Sequence, residues 1–307
     1  MKIRLITAAV LVLSGTLAFA QDLSALKASY ERQVRMVGPA GVGVETILDR
    51  WEAADPDNPE VLRARFSFHF AKSRSSRVVP MDKPKYLGAA PVITLKDSAG
   101  RDMHYYEVDF FDDEQFSLSQ KAINKAIALM PADLGLRVDK INSLILYEKE
   151  SPDLASEEII RTIDYNVSKH PVWTVEGQEA EAGLFKQLVM DYCVTFFNYG
   201  TPGSYEAFRA ISEKMLRLDK KDTDFMSNMG SYYLVCKDNP RQAVRWYDKV
   251  LKIKPDDYTA AHNCVLVAHR DKNVRMEKKY LPYLIKATTD EMERRGYEIR
   301  LEALEKK

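Results

Sequence analysis

Apolar residues recur at helical intervals along most of this 307-residue chain. The clearest case is Ser227 to Asp257, where apolar side chains recur every three or four positions on both sides of a polar turn. This spacing places an apolar stripe on each of two helices. Pro255 ends the second helix, because proline cannot continue one. The segment is predicted to be a helical hairpin with one apolar side still to be covered.

The residues of this hairpin resemble the tetratricopeptide repeat. That family uses a large apolar residue, a glycine and a tyrosine on the first helix. It uses an alanine, an aromatic residue and a small residue on the second, followed by a proline. The matching residues are Met229, Gly230, Tyr233, Ala243, Tyr247 and Pro255, with Val250 at the small position. The inter-helix turn is one residue longer than in the family. The resemblance implies an array in which each hairpin covers the next.

The pattern of the second helix recurs along the chain. We call the position that ends the second helix, Pro255 in this hairpin, the closing position. It falls at Pro56, Pro131, Pro171, Asp219 and Pro255. The last four lie 40, 48 and 36 residues apart, above the family period of about 34. First helices are predicted after four of these positions, over 58–73, 134–147, 178–198 and 258–269. The charged end, 277–306, is predicted to cap the array, with Pro282 near a helix start and Gly296 as a candidate break.

One interval departs from this period, because Pro56 and Pro131 lie 75 residues apart. The excess falls at about 74–113, where several prolines oppose a helix. Two runs there, 92–96 and 103–111, are rich in β-branched and aromatic residues and predict a β-hairpin. Isolated hairpins are marginally stable, so this one is expected to pack on the helices or to pair with another chain.

The predicted fold class is therefore all-α. It is an α-α superhelix, a solenoid of about five tetratricopeptide-like helix pairs, with an inserted β-hairpin. The solenoid is expected to span residues 21–307.

The first 20 residues have the pattern of a secretory signal peptide. Lys2 and Arg4 precede a short apolar run, and Ala18-Phe19-Ala20 fits the small-x-small pattern before a cleavage site. The run is shorter than the roughly 20 residues of a spanning helix. We expect cleavage after Ala20, a periplasmic or secreted location, and no stable membrane insertion of the mature protein.

Charge gives no reason to expect a nucleic-acid partner. The chain has 45 basic and 45 acidic residues, and the signal peptide removes only two basic ones. A near-neutral protein lacks the basic surface that nucleic acids and anionic membranes attract.

The three cysteines, Cys193, Cys236 and Cys264, are an odd number in apolar helical contexts. This favours buried thiols over a disulfide framework. A single Cys193–Cys236 bridge between neighbouring helices is the alternative.

No sequence motif for catalysis or metal binding is present. Of the five histidines, only His262 and His269 share a helix face, and two turns separate them. The sequence therefore predicts no enzymatic activity, no cofactor and no metal site.

The tetratricopeptide resemblance implies a concave groove lined by the first helices. The partner-binding residues that it implies are Asn228, Ser231, His262, Asn263, His269 and Arg270. The two asparagines fall where some family members clamp a peptide carboxylate, but the partnering lysines are absent. On the hairpin, Tyr105, Glu107 and Asp109 share one strand face and are further candidates. The alternative for the concave set is a solvated polar face, and the alternative for the hairpin is that it only covers one flank of the first repeat.

The predicted function is non-catalytic: an extracytoplasmic scaffold that holds a protein or peptide partner in the concave groove. The alternative is a small-ligand or glycan-binding component with a pocket between the β-hairpin and the groove.

Overall fold

The computed structural model describes residues 23–306. Thirteen α-helices, one π-helical turn and two small antiparallel sheets are formed by these residues. The predicted signal peptide and its cleavage site lie outside the described residues. Within the described range, no helix is both long and apolar enough to cross a membrane.

Most of the described chain is helical. The helices are α1 (23–37), α2 (Val44–Ala54), α3 (Pro59–Ser73), α4 (Asp113–Leu129), α5 (Leu134–Glu148), α6 (Asp153–Lys169), α7 (Leu184–Tyr199), α8 (Pro202–Leu218), α9 (Thr223–Ser231), α10 (Pro240–Ile253), α11 (Tyr258–Arg270), α12 (Val274–Ala287) and α13 (Glu291–Glu305). The π-helical turn, Tyr232–Cys236, continues α9.

Consecutive helices pack as hairpins, with α3 on α4, α7 on α8, α9 on α10 and α11 on α12. Each predicted closing position lies one or two residues beyond the end of a second helix. These helices are α2, α4, α6, α8 and α10. The predicted all-α fold class is confirmed: the described residues form helical hairpins with an inserted β element.

Local sequence explains where these helices begin. In the turn before α10, the Asn239 side chain accepts a hydrogen bond from the Gln242 backbone N–H. Pro240 occupies the first turn of α10, where its missing N–H would have no helical partner in any case. Asp257 caps α11 in the same way by accepting from the Ala260 N–H at 2.9 Å.

The described residues divide into two compact units. The first contains 23–86, 90–147 and 164–182, and the second contains 87–89, 148–163 and 183–306. Helix α6 contributes its residues up to 163 to the second unit and the remainder to the first.

The core of the first unit forms around α2, α3 and α4. One buried cluster consists of Val44, Leu48, Trp51, Val61, Ala64 and Phe68, and the apolar side of α1 packs against it. A second consists of Leu62, Phe66, Ile123, Ala126 and Leu136. The helix α1 is followed by Pro39, two residues beyond its end, but this helix was not predicted from the sequence.

The core of the second unit contains the predicted repeat contacts. Met229, Gly230, Ala243, Tyr247 and Val250 are all buried. Tyr247, Ala243 and Val250 share one cluster with residues of α11 and α12. The hairpin of α9 and α10 is therefore covered by the following helices, as the apolar stripes require.

The β element is a three-stranded antiparallel sheet in the order β1 (Arg74–Met81), β3 (Asp102–Phe111), β2 (Ile93–Lys96). Strands β2 and β3 are the predicted hairpin, and β1 is an addition. Pro80 lies opposite Tyr105, whose carbonyl accepts from the Val92 N–H on the β2 side. The missing N–H of Pro80 thus costs the β1–β3 ladder nothing, and an edge strand tolerates the proline.

Three predicted boundaries were wrong. The first helix expected over 178–198 begins at Leu184, because Gln178–Glu179 pairs with Thr174–Val175 in a two-stranded sheet. Glu176 and Gly177 form its turn, both with positive φ. In the C-terminal segment, Pro282 lies inside α12 and Gly296 inside α13, so the segment forms two helices that neither residue interrupts.

Candidate functional site

A groove of about 250 Å³ lies between α11, α12 and α13. Two predicted binding residues, His262 and His269, line it from α11, with Leu266 between them. The intervals of four and three place these side chains in one row along the helix. Leu266 is 50% exposed, whereas Leu281 and Leu284, which line the groove from α12, are buried. The groove thus has an apolar floor and imidazole groups along one edge.

The buried carboxylate of Glu277 organises the far wall of the groove. Arg300 forms two hydrogen bonds with it, from Nε at 2.8 Å and from Nη2 at 3.0 Å. The Glu277 side chain is only 4% exposed, and its pKa is lowered mainly by the hydrogen bonds from Arg300. Glu277 therefore stays ionised at neutral pH and balances the charge of Arg300.

His269 joins this ion pair from the solvent side. Its Nδ1 lies 3.5 Å from Glu277 Oε1 and 3.4 Å from Arg300 Nη2. Glu277 balances the charge of Arg300, and the imidazole of His269 lies beside both on the exposed side of the wall. The guanidinium of Arg300 and a ring N–H of His269 are the hydrogen-bond donors that an acidic group of a partner would meet here.

Two tyrosines hold the other end of the groove together. The hydroxyls of Tyr258 in α11 and Tyr297 in α13 both donate to Glu293 Oε1, at 2.7 and 2.6 Å. The Tyr258 ring stacks on His262 with 5.6 Å between ring centroids. This contact fixes the imidazole at the groove edge.

Three of the predicted concave-face residues instead hold helices together. Ser231 Oγ and Asn263 Nδ2 both lie 3.1 Å from the hydroxyl of Tyr247, which is buried. Asn228 donates to Ser212 Oγ at 3.2 Å and to Met190 Sδ at 3.5 Å. Their polar groups are therefore engaged in contacts between helices.

Arg270, the sixth predicted residue, lies at the end of α11 and does not line the groove. It pairs with Asp271 at 3.2 Å and with Asp238 at 3.6 Å. Of the predicted set, only His262 and His269 line this groove.

Sequence reasoning missed the three groove residues of α12 and α13 that carry polar groups, Glu277, Tyr297 and Arg300. The charge of the segment 277–306 indicates a cap and gives no reason to look for a functional face. Tyr297 and Arg300 are three residues apart, which places them on one side of α13.

The hairpin candidates lie on one face of the three-stranded sheet. We call this surface the outer sheet face; it is formed by Val78, Pro80, Ile93, Leu95, Met103 and Tyr105. Val78, Ile93 and Leu95 are exposed, whereas Tyr106 and Val108 on the opposite face are buried. Glu107 is exposed at the margin. Asp109 is engaged by Ser76 Oγ at 2.6 Å and Arg74 Nη2 at 2.7 Å.

A larger groove, of about 560 Å³, lies on α2, α3 and α4 in the first unit. Its basic lining residues include Arg65, which pairs with Asp49 and Glu52, and Lys125, which pairs with Asp57. Their charges are largely balanced within the protein.

The three cysteines are free thiols, so the alternative Cys193–Cys236 bridge is not formed. Burial raises the pKa of each to about 12. Among residues 23–306, no group of three or more His, Cys, Asp or Glu side chains is placed to hold a metal ion.

No known family profile and no curated protein sequence matches the chain. Among solved structures, the chain is similar to PilF from Pseudomonas aeruginosa, with 13% sequence identity and a TM-score of 0.39. The match covers 62% of this chain and 77% of that one. A similarity of this size assigns neither a partner nor an activity.

Proposed function

We propose that this is a non-catalytic binding protein that holds a protein or peptide partner in the groove of α11, α12 and α13. The observation that carries the proposal is the row of His262, exposed Leu266 and His269 above an apolar floor. Exposed apolar side chains with a polar rim are typical of contact sites for partners.

The size of the groove favours a side chain of a larger partner over a whole small ligand. Its volume of about 250 Å³ is below the range of about 300–1,000 Å³ that is usual for small-molecule pockets. One large apolar side chain could enter it as an anchor, and an acidic neighbour could approach His269. Such anchors supply much of the energy of many interfaces.

A peptide-display selection with the mature protein, residues 21–307, tests this proposal. Enriched peptides should combine a large apolar residue with a nearby carboxylate. Leu266→Asp should weaken their binding at least about tenfold, since it places a charge on the apolar anchor site. Leu218→Asp is the matched control, because Leu218 is also an exposed leucine of the second unit and lies outside the groove.

Equal binding by wild type and Leu266→Asp would contradict the proposal, provided that circular dichroism shows both to be folded. Binding on a glycan array instead of to peptides would favour the alternative function, a glycan-binding component.

We also propose that the protein acts outside the cytoplasm. The support is the pattern of its first 20 residues: a basic start, a short apolar run and a small-x-small motif before Gln21.

A further inference from the structure

The last described helix, α13, has apolar residues on two opposite sides. Its inward side carries Leu301 and Leu304, and Leu304 is buried. Its outward side carries Met292, 84% exposed, and Ile299, 54% exposed. Gly296 and Ala303 are exposed on that same side. At 3.6 residues per turn, these four positions lie within about 60° of the helix circumference.

We call these four residues the outward stripe: Met292, Gly296, Ile299 and Ala303. Their intervals of four, three and four are those of residues that form the seam between two paired helices. A Cβ added to Gly296 would meet no atom within 4 Å among the described residues. The helix backbone is therefore open to close approach at this point.

Large and small residues alternate in the outward stripe in a self-complementary order. If a second copy of α13 lies antiparallel, with a two-fold axis between Tyr297 and Glu298, Met292 faces Ala303 of the second copy. In the same arrangement Ile299 faces Gly296. Each large side chain thus meets a small residue, and a two-fold axis requires such self-complementarity. A parallel pair would place Ile299 against Ile299 and leave a gap at Gly296.

The charges beside the stripe favour the same arrangement. Arg295 and Glu302 lie on one flank of the stripe, with side chains 62% and 55% exposed. In an antiparallel pair this flank meets itself, so Arg295 of each copy approaches Glu302 of the other. Within one copy Arg295 Nη1 donates to Glu298 Oε2 at 2.9 Å and lies 4.0 Å from Glu302 Oε1, so Glu302 is the more weakly held partner and can pair with Arg295 of the second copy. On the other flank, Glu293 and Arg300 are occupied by Tyr258, Tyr297 and Glu277.

We propose that the outward stripe binds the same stripe of a second copy of this chain, forming an antiparallel helix pair across a two-fold axis. A helix of 15 residues is about 22 Å long, so the contact is small and the dimer should be weak and reversible. The surface is separate from the row of His262, Leu266 and His269.

Sedimentation velocity of residues 21–307 tests the proposal between about 1 μM and about 1 mM, a range in which weak association is measurable. The wild type should shift from monomer to dimer as the concentration rises. Ile299→Asp should raise the dissociation constant at least about tenfold. Leu218→Asp, an exposed leucine elsewhere in the second unit, should not change it.

Gly296→Leu separates association from folding. The added side chain meets open space in the monomer, and leucine favours helix over glycine, so the melting temperature should not fall. The same side chain fills the space that Ile299 of the second copy needs, so association should weaken. Arg295→Glu should also weaken it, and the double variant Arg295→Glu/Glu302→Arg should restore it.

A wild type that stays monomeric across this range would overturn the proposal. So would association of Ile299→Asp or Gly296→Leu at wild-type strength. Failure of the charge-reversed double variant to recover association would overturn the antiparallel arrangement.

Discussion

At the scale of single residues, Gly230 and Gly296 show how the surroundings decide what a glycine contributes. Both lie inside helices of the second unit. A Cβ at Gly230 would come closer than 3.0 Å to three ring carbons of Tyr247, which is fully buried. A Cβ at Gly296 would meet nothing within 4 Å of the described atoms. The first glycine is required by packing, and the second is not.

Gly230→Ala should therefore lower the free energy of unfolding by about 1–3 kcal/mol, because the methyl group overpacks the contact between α9 and α10. Gly230→Leu should cost more. Gly296→Ala is the control and should raise stability by up to about 1 kcal/mol, the helix propensity difference. Chemical denaturation followed by circular dichroism measures all three. An unchanged midpoint for Gly230→Ala would show that α9 can move away from Tyr247.

The ion pair of Glu277 predicts a pH dependence. Its folded pKa is lowered below the ordinary value of 4.5 by Arg300, so the ionised form stabilises the fold. This contribution is complete above about pH 4.5 and is lost as the pH falls through the folded pKa.

Glu277→Gln should thus lower the free energy of unfolding by about 1–2 kcal/mol near pH 7, since a charged hydrogen-bond acceptor is lost. The difference from wild type should shrink below about pH 4.5. Urea denaturation at several pH values measures it, with Glu157→Gln, a helix-surface carboxylate paired to Arg161, as control. A difference that stays constant down to about pH 3 would contradict this assignment.

At the scale of elements, the hydroxyl of Tyr247 connects three helices. It lies on α10 and contacts Ser231 of α9 and Asn263 of α11. Burial raises its pKa to about 12, so it stays protonated at neutral pH. Tyr247, at the aromatic position of the predicted repeat, therefore supplies both packing and a polar contact to the neighbouring hairpin.

Tyr247→Phe should cost about 1–2 kcal/mol of stability, because Ser231 and Asn263 lose a hydrogen-bond partner in a partly buried site. Tyr283→Phe is the control, since the described residues include no hydrogen bond from its hydroxyl. Thermal melting of both variants distinguishes them. Equal melting temperatures would show that water replaces the lost contact without cost.

The sheet gives a prediction of the same kind. Leu95→Gln on the outer sheet face should change stability by less than about 0.5 kcal/mol. Val108→Ala on the buried face should cost about 1–3 kcal/mol. Urea midpoints report both. A large loss for Leu95→Gln would mean that the outer sheet face is covered in solution and is not available to a partner.

Elements with strong periodicity were predictable from the sequence, and their functional surface was largely not. The closing prolines located the ends of the second helices, because a proline shortly after a periodic segment marks a helix end. Strand β1 was not predicted, because Pro80 argues against a strand unless its pairing partner is known. Asn228, Ser231 and Asn263 were expected in the groove because a repeat pattern gives the helix face. Which polar side chains of that face bond to neighbouring helices depends on contacts between residues far apart in sequence, such as the contacts of Ser231 and Asn263 with Tyr247.

At the scale of the whole molecule, the proposed export predicts a defined mature protein. Expression of the full chain in a Gram-negative host should yield a soluble product outside the cytoplasm that begins at Gln21. Intact mass and N-terminal sequencing check both statements. Retention of Met1 in the membrane fraction would contradict them. Replacing Val10 and Leu11 with arginine should block export, because the apolar run of the signal is interrupted.

Helix α6 belongs to both compact units, and this limits how the protein can be divided. Arg137 of the first unit lies over the rings of Tyr165 and Trp173, at 4.4 and 5.5 Å from their centroids. Glu150, earlier in the chain, accepts a hydrogen bond from Thr201 of the second unit. A break before 148 would take 164–182 from the first unit, and a break after 182 would take 148–163 from the second. Two fragments that each kept their share of this region would have to duplicate 148–182. The gene cannot be split at one point into two halves that each encode an intact unit.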